Sequence, residues 1–165
     1  MNMTAGIISM LIAAVLVGID QGIKAWATAA LQPVQTMPLL PGVVDLHYIL
    51  NDGMAFSLLA GKQALLIGAT SIMLVGVLVL LFRSKNLTKC ERAAWTLVLG
   101  GGVGNLIDRV LNGVVVDYIR LLFMDFPVFN FADICVCVGV GLLILSILLE
   151  MRSGSEGEEK PGAAL

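Results

Sequence analysis

The sequence predicts an all-α integral membrane protein of four transmembrane helices, with a small extracytoplasmic β-rich platform between spans 1 and 2. Three observations carry this. Of 165 residues 58% are apolar and only 13% charged, about half the charged share of a soluble globular chain. Four stretches stay apolar for the ~20 residues that cross a hydrocarbon core. All five prolines (Pro33, Pro38, Pro41, Pro127, Pro161) fall outside those stretches, as continuous helices require, because proline removes a backbone donor.

By apolar run length, span 1 covers about Ala5 to Thr28, span 2 Ala64 to Phe82, span 3 Ala93 to Arg109 and span 4 Phe131 to Met151. Residues 1–151 are read as a single membrane domain. Between spans 1 and 2, Gly42 to Leu58 alternates weakly, with Leu46, Tyr48 and Leu50 on one side and Asp45, His47 and Ile49 on the other. That pattern predicts short strands at the membrane surface, and Asn51-Asp52-Gly53 is a turn signal. The Asn51 side chain is a candidate to bind the backbone of an extended peptide there. The tail from Arg152 to Leu165 is rich in Gly, Ser, Glu and Pro and predicts a disordered end. The start has an alternative reading as a cleavable signal peptide, with Ala27-Thr28-Ala29 as the processing site. It is disfavoured because Met1 to Thr4 holds no basic residue and Asp20 and Lys24 interrupt the approach.

Arg83, Lys85, Lys89 and Arg92 crowd the connection between spans 2 and 3, while the segments Ala29 to Gln63 and Val110 to Asn130 hold one basic residue each, Lys62 and Arg120. The positive-inside rule places the first connection and both termini in the cytoplasm. The ends of spans 1 and 3, the start of span 4 and the two remaining connections then emerge together on the outer face.

Composition excludes several classes. A net charge of −2 with ten scattered basic residues gives no footprint for nucleic acid. Cys90, Cys135 and Cys137 form no disulfide framework and read as packing thiols. A single histidine, His47, leaves no zinc-binding cluster, so neither metal nor organic cofactor is expected. A serine nucleophile would need His47 as its base, and no nucleophile-elbow pattern surrounds Ser57.

The polar residues gather where the outer face is predicted. Asp20, Gln21 and Lys24 close span 1; Asn51 lies in the first outer segment; Asn105, Asp108 and Arg109 close span 3; Asp117 lies in the second outer segment; Asn130 and Asp133 open span 4. Asp20 and Lys24 are spaced i,i+4 and read as a structural ion pair. Asp108 and Arg109 read either as a second pair or with Arg109 holding a ligand carbonyl or carboxylate in its planar donor fork. Gly100, Gly101, Gly102 and Gly104 read as close-packing glycines, with no P-loop Lys-Ser/Thr after them. Asn130 and Asp133 fit a helix N-terminal cap. Capping does not account for Asp117, a carboxylate inside Val114-Val115-Val116-Asp117-Tyr118-Ile119, which needs a partner or a task if buried.

The short segment between Asp117 and Asp133 allows the two to meet. At ~4 Å and an effective dielectric of ~20 they would repel by ~4 kcal/mol, about three pKa units, so that one holds a proton near neutrality. The ionised member would draw a proton from water while the protonated one polarises a peptide carbonyl, the division of labour of an aspartic protease.

These residues resemble the bacterial lipoprotein signal peptidases (prolipoprotein signal peptidase, signal peptidase II) over roughly Gly18 to Glu150. The resemblance rests on Asp20-Gln21-x-x-Lys24, Asn51-x-Gly53-x-Ala55-Phe56-Ser57, Gly101-Gly102-x-Gly104-Asn105-x-x-Asp108-Arg109, Gly113-x-Val115-Val116-Asp117-Tyr118 and Phe129-Asn130-x-Ala132-Asp133. It implies a multi-pass inner-membrane aspartyl endopeptidase that cuts diacylglyceryl-modified prolipoproteins on the amino side of the lipidated cysteine. Asp117 and Asp133 are then the catalytic pair. Asn51, Gly53, Asn105, Asp108, Arg109 and Asn130 are substrate-binding or supporting residues, and Asp20 and Lys24 are structural. It further implies membrane lipids as partners, a monomer, and binding of globomycin-type inhibitors. Tyr118 stands where Phe is frequent in the family. The alternative from another class is a small proton-coupled carrier or channel using intramembrane carboxylates. It is disfavoured because the acidic residues cluster towards one face. A non-enzymatic anchoring subunit is the third reading.

Overall fold

The computed structural model describes residues 3–53 and 61–158, with side chains described as far as Arg152. Four helices and three strands follow one another as α1 (Met3–Leu31), β1 (Thr36–Leu40), β2 (Val44–Asn51), α2 (Gln63–Arg83), α3 (Lys89–Asn112), β3 (Val115–Leu121) and α4 (Phe131–Glu158). Ala55, Phe56 and Ser57 of the Asn51 motif lie outside the described residues.

The polarity of α1 is inverted relative to a soluble helix. Its exposed side carries Ile7, Ile8, Leu11, Val15 and Ile19, whereas its buried side carries Gly6, Ser9, Ala13, Asp20, Lys24 and Ala27. That arrangement suits a helix with lipid outside and polar partners inside. Among the described residues three helices are long and apolar enough to cross a membrane: α1, α2 and α4 as far as Arg152. The 24-residue α3 has the length, about 36 Å, but not the apolar composition, since Lys89, Glu91 and Arg92 open it and Asn105, Asp108 and Arg109 close it.

Instead α3 is the centre of the bundle, packed against the other three helices and most extensively against α4. Its ends are set locally. Thr88 and Glu91 form a reciprocal capping box at the start, and Gly113 ends it in the left-handed conformation at φ 72°. Its glycines let neighbouring backbones come close. A Cβ on Gly101 would overlap the carbonyl oxygen of Ala132 on α4, and one on Gly104 would lie 2.5 Å from Asp20 Oδ2.

The sheet is antiparallel in the order β1-β2-β3. Here the structure corrects the sequence reading. The platform does not come from the first connection alone, because its third strand lies between α3 and α4. The β-branched run 114–116 favours a strand, and this strand pairs Ile49 with Asp117 and Asn51 with Val115. β1 and β2 are joined through Pro41, Gly42 and Val43, with Gly42 at φ 76°, and Asn51 ends β2 and opens the turn Asn51-Asp52-Gly53, where the Gly53 amide donates to Asn51 Oδ1. A register irregularity between Leu46 and Ile49 breaks the simple alternation, so Leu46 and Tyr48 are buried but Leu50 is exposed.

Ala27 and Leu31 of α1 pack with Leu46, Tyr48 and Tyr118 to fasten the sheet to one end of the bundle. A second cluster of Ala13, Leu74, Val77, Leu81, Val98 and Leu99 holds α1, α2 and α3 together. The helix α4 runs to Glu158, into the segment whose composition predicts disorder. No proline stands between Phe131 and Pro161 to stop it. Residues 159–165 lie outside the described residues.

Gly101→Ala is expected to lower stability by about 2 kcal/mol, because the new methyl would overlap the Ala132 carbonyl oxygen, which is backbone and cannot turn aside, and would press on Val136 and Cys135. Gly18→Ala, where nothing lies within 4 Å, is expected to be neutral or slightly stabilising. Unfolding of the purified variants in detergent checks both, and equal effects would contradict the packing described.

Candidate active site

The site is built where α4 begins. The first free N–H groups of a helix need acceptors, and here each one comes from a different part of the fold. The Phe131 amide donates to the Tyr118 hydroxyl of β3 at 3.1 Å, the Ala132 amide to Asp20 Oδ1 of α1 at 3.1 Å, and the Asp133 amide to Asn130 Oδ1 at 3.0 Å. Asn130 N donates back to Asp133 Oδ2 at 3.0 Å, completing a reciprocal cap of the capping-box kind. The helix start is thereby locked to α1 and β3.

Asn130 is fully buried and has a second task. Its Nδ2 donates to Asp117 Oδ1 at 2.6 Å and to Asn105 Oδ1 at 3.1 Å. Asn105 Nδ2 in turn donates to Asp133 Oδ1 at 2.7 Å. Asp117 and Asp133 are therefore held by the same asparagine, and both oxygens of each carboxylate are engaged, since Asn51 Nδ2 reaches Asp117 Oδ2 at 2.8 Å. Asn51 is fixed by the Gly53 amide on its Oδ1 at 2.9 Å, and the Gly53 carbonyl accepts from Arg109 Nη2 at 3.1 Å.

Behind this layer lies a buried ionic one. Lys24 Nζ is 2.8 Å from Asp20 Oδ2, 3.0 Å from Asp108 Oδ2 and 2.9 Å from Asn105 Oδ1. Gln21 Nε2 bridges Asp108 Oδ1 at 3.0 Å and the Gly104 carbonyl at 3.2 Å. The second oxygen of Asp108 also accepts from the Val116 amide at 3.3 Å, which ties β3 to α3 one residue before Asp117.

Asp117 is 2% exposed. Burial pushes its carboxyl up to about 6, and the nearby Asp133 adds to this, while hydrogen bonds from Asn51 and Asn130 and the charge of Lys24 pull the other way. The Tyr118 hydroxyl is pushed up to about 12, chiefly by burial. Asp45 on β2 lies across the sheet from Arg120, with bonds of 2.9 and 2.5 Å, and that partner holds its carboxyl below the usual range.

All ten site residues singled out in the sequence (Asp20, Lys24, Asn51, Gly53, Asn105, Asp108, Arg109, Asp117, Asn130 and Asp133) join this one network. One expectation is corrected: Asp108 pairs with Lys24 and not with Arg109, because neighbouring residues on a helix point apart. Arg109 clamps the Gly53 carbonyl, leaving its Nε buried and without a hydrogen-bond partner among the described residues. The Asn51 side chain bonds Asp117 and the Gly53 amide of its own turn. Sequence reasoning did not assign the link from Tyr118 to α4 or the role of Gln21; the polar side chains in otherwise apolar blocks were the available signal.

Fold and site together define a membrane protein in which a buried Asp117 and a half-buried Asp133 are held in one hydrogen-bonded network at one end of the helix bundle. The family described as Signal peptidase (SPase) II matches residues 12–149. Similar curated proteins include the lipoprotein signal peptidase of Symbiobacterium thermophilum, 38% identical over 151 residues, covering 90% of this chain and 99% of the relative. That of Lactococcus lactis subsp. cremoris is 39% identical over 147 residues, covering 89% and 97%. A solved structure described as a bacterial membrane enzyme superposes with a TM-score of 0.80 at 32% identity, covering 94% of each chain. The chain belongs to the signal peptidase II family and is a membrane peptidase.

The raised carboxyl of Asp117 carries a stability consequence. Between the unfolded value of about 3.9 and the folded value the native state holds the extra proton, so stability falls as pH rises through this window. Asp117→Asn removes the effect. The variant's stability relative to the parent is expected to grow by about 3 kcal/mol from pH 3.5 to 7, read from unfolding in detergent at each pH. A difference independent of pH would contradict the assignment.

Proposed function

We propose that this chain is an aspartyl endopeptidase that removes the signal peptide from diacylglyceryl-modified prolipoproteins, cutting on the amino side of the lipidated cysteine. The observation that carries the reading is Asn130, which binds Asp117 through Nδ2 and Asp133 through its own backbone N–H in a chain of this family. In this reading the two share one proton, which the Asp117 carboxyl, lifted to about 6 by burial, is able to hold. The ionised member takes a proton from water as the water oxygen attacks the scissile carbonyl. The protonated member donates to the carbonyl oxygen, giving a tetrahedral gem-diol. The member that took the water proton then gives it to the leaving nitrogen while the other takes one back from a gem-diol hydroxyl, so the C–N bond breaks, a carboxylic acid forms and the pair is again singly protonated.

The amides have a division of work. Asn51, Asn105 and Asn130 use four oxygen positions of the two carboxylates without supplying a competing proton acceptor there. This leaves the remaining lone pairs for water and substrate. Arg109 Nε, which has no hydrogen-bond partner among the described residues, is a donor for a peptide carbonyl of the bound segment.

In this reading α3 is the fourth span, tolerated because its polar residues face protein and not lipid. The basic connection Arg83, Lys85, Lys89 and Arg92 lies in the cytoplasm with both termini, and the sheet lies on the outer side of the inner membrane. Exposed Leu39, Leu40, Leu122, Phe123 and Phe126 suit contact with the lipid interface. The scissile bond of a lipid-anchored substrate is presented at that same level. The protein acts as a monomer and binds globomycin-type inhibitors at this site.

Asp117→Asn and Asp133→Asn are each expected to lower kcat for a diacylglyceryl-modified prolipoprotein by about 1,000-fold or more, with unfolding temperatures close to the parent's or above it. Cleavage by either folded variant at near the parental rate removes that residue from the chemistry.

A further inference from the structure

The peptidase reading leaves Lys24 with no part in the chemistry, only a place in a buried ion pair. Its position says more. Lys24 is 3% exposed, and an ammonium group has donors and no acceptor. The atom of Asn105 that lies 2.9 Å from Nζ must therefore be the amide oxygen. That choice, otherwise undetermined by shape, turns the Nδ2 end of Asn105 onto Asp133 Oδ1.

The constraint then propagates. The same Asn105 oxygen faces the Asn130 side chain at 3.1 Å, so the facing atom of Asn130 must be its Nδ2. That nitrogen has two hydrogens, one for Asn105 and the other for Asp117 Oδ1. The opposite end of Asn130 is then the oxygen that the Asp133 amide requires. Lys24 thus fixes the end of Asn105 that turns to Asp133. Asn130 and Asn51 are each held independently as well, by the Asp133 and Gly53 amides on their Oδ1 atoms.

We propose that Lys24 is a positioning residue for peptide cleavage, acting through Asn105 to hold its amide in the one orientation that presents an N–H donor to Asp133. Without it, the Asn105 oxygen loses the cation that holds it, and a turned-over amide puts a carbonyl oxygen against Asp133. Asp20 and Asp108 are the other charged groups on Lys24, and neither can replace it, because an ionised carboxylate accepts and does not donate.

The kinetic part of this proposal rests on the peptidase reading, and two measurements separate their failures. The first is kinetic, with the purified full chain and a diacylglyceryl-modified prolipoprotein. Lys24→Met is expected to lower kcat per folded enzyme by about 10–100-fold with KM little changed. Because Lys24 acts through Asn105, adding Lys24→Met to Asn105→Ala is expected to lower kcat no further. Since Lys24→Met strands buried carboxylates, the same comparison is made between Asp20→Asn and Asp20→Asn/Lys24→Met if the single variant does not fold. An unchanged kcat, a loss confined to KM, or multiplicative losses in the double variant would overturn the proposal. The second needs no turnover. With side-chain amides of asparagine labelled with 15N, Lys24→Met, or its Asp20→Asn background, is expected to shift or split the Asn105 resonance and leave Asn51 in place. An unchanged Asn105 signal would overturn the orientation argument even if the parent protein cleaves no prolipoprotein; failure of the parent to cleave, with the shift present, would overturn the peptidase reading alone.

Discussion

The N-terminus of α4 needs acceptors for its unpaired amides, and satisfying that need assembles the site. Tyr118, Asp20 and Asn130 meet the demand, and each brings its own element with it: β3, α1 and the turn before α4. Asp117 is the residue before Tyr118 and Asp133 is the third residue of the helix, so the cap that ends the backbone's deficit also brings two carboxylates onto one asparagine. Their proximity follows from the fold and does not need a separate device.

The membrane sharpens this constraint. Within hydrocarbon an unmet polar group has no water to fall back on, so the polar residues of α1 and α3 must find each other. Lys24 joins Asp20, Asp108 and Asn105, and Gln21 closes the remaining gap to Asp108 and the Gly104 carbonyl. Close backbone approach makes this possible, with Gly104 against Asp20 and Gly101 against the Ala132 carbonyl. A helix too polar to cross alone is thus placed in the middle of three apolar ones.

Much of this was legible in the sequence. The apolar runs marked α1, α2 and α4 because hydropathy integrates over a whole span, and the isolated polar residues marked the site because buried polarity needs a partner. The pairing of Asp108 was misread between two options because sequence gives neighbours along the chain, whereas Lys24 is a neighbour only across the α1–α3 interface. The partner of Asn51, Asp117, is likewise hidden, because it lies 66 positions away. The third strand is hidden too, although Val114 to Ile119 is β-branched, because a single strand has no signal for which sheet it joins.

Asp117 is held beside Asp133 within one hydrogen-bonded unit, and its raised carboxyl reports that neighbour. An infrared titration of the carboxyl groups in the parent protein, Asp117→Asn and Asp133→Asn tests it most directly. The account predicts one protonated carboxyl in the parent that titrates at about 6, is missing in Asp117→Asn, and titrates at lower pH in Asp133→Asn, where the neighbouring charge is gone. An Asp117 signal that titrates at the same pH with and without the Asp133 carboxylate would contradict it.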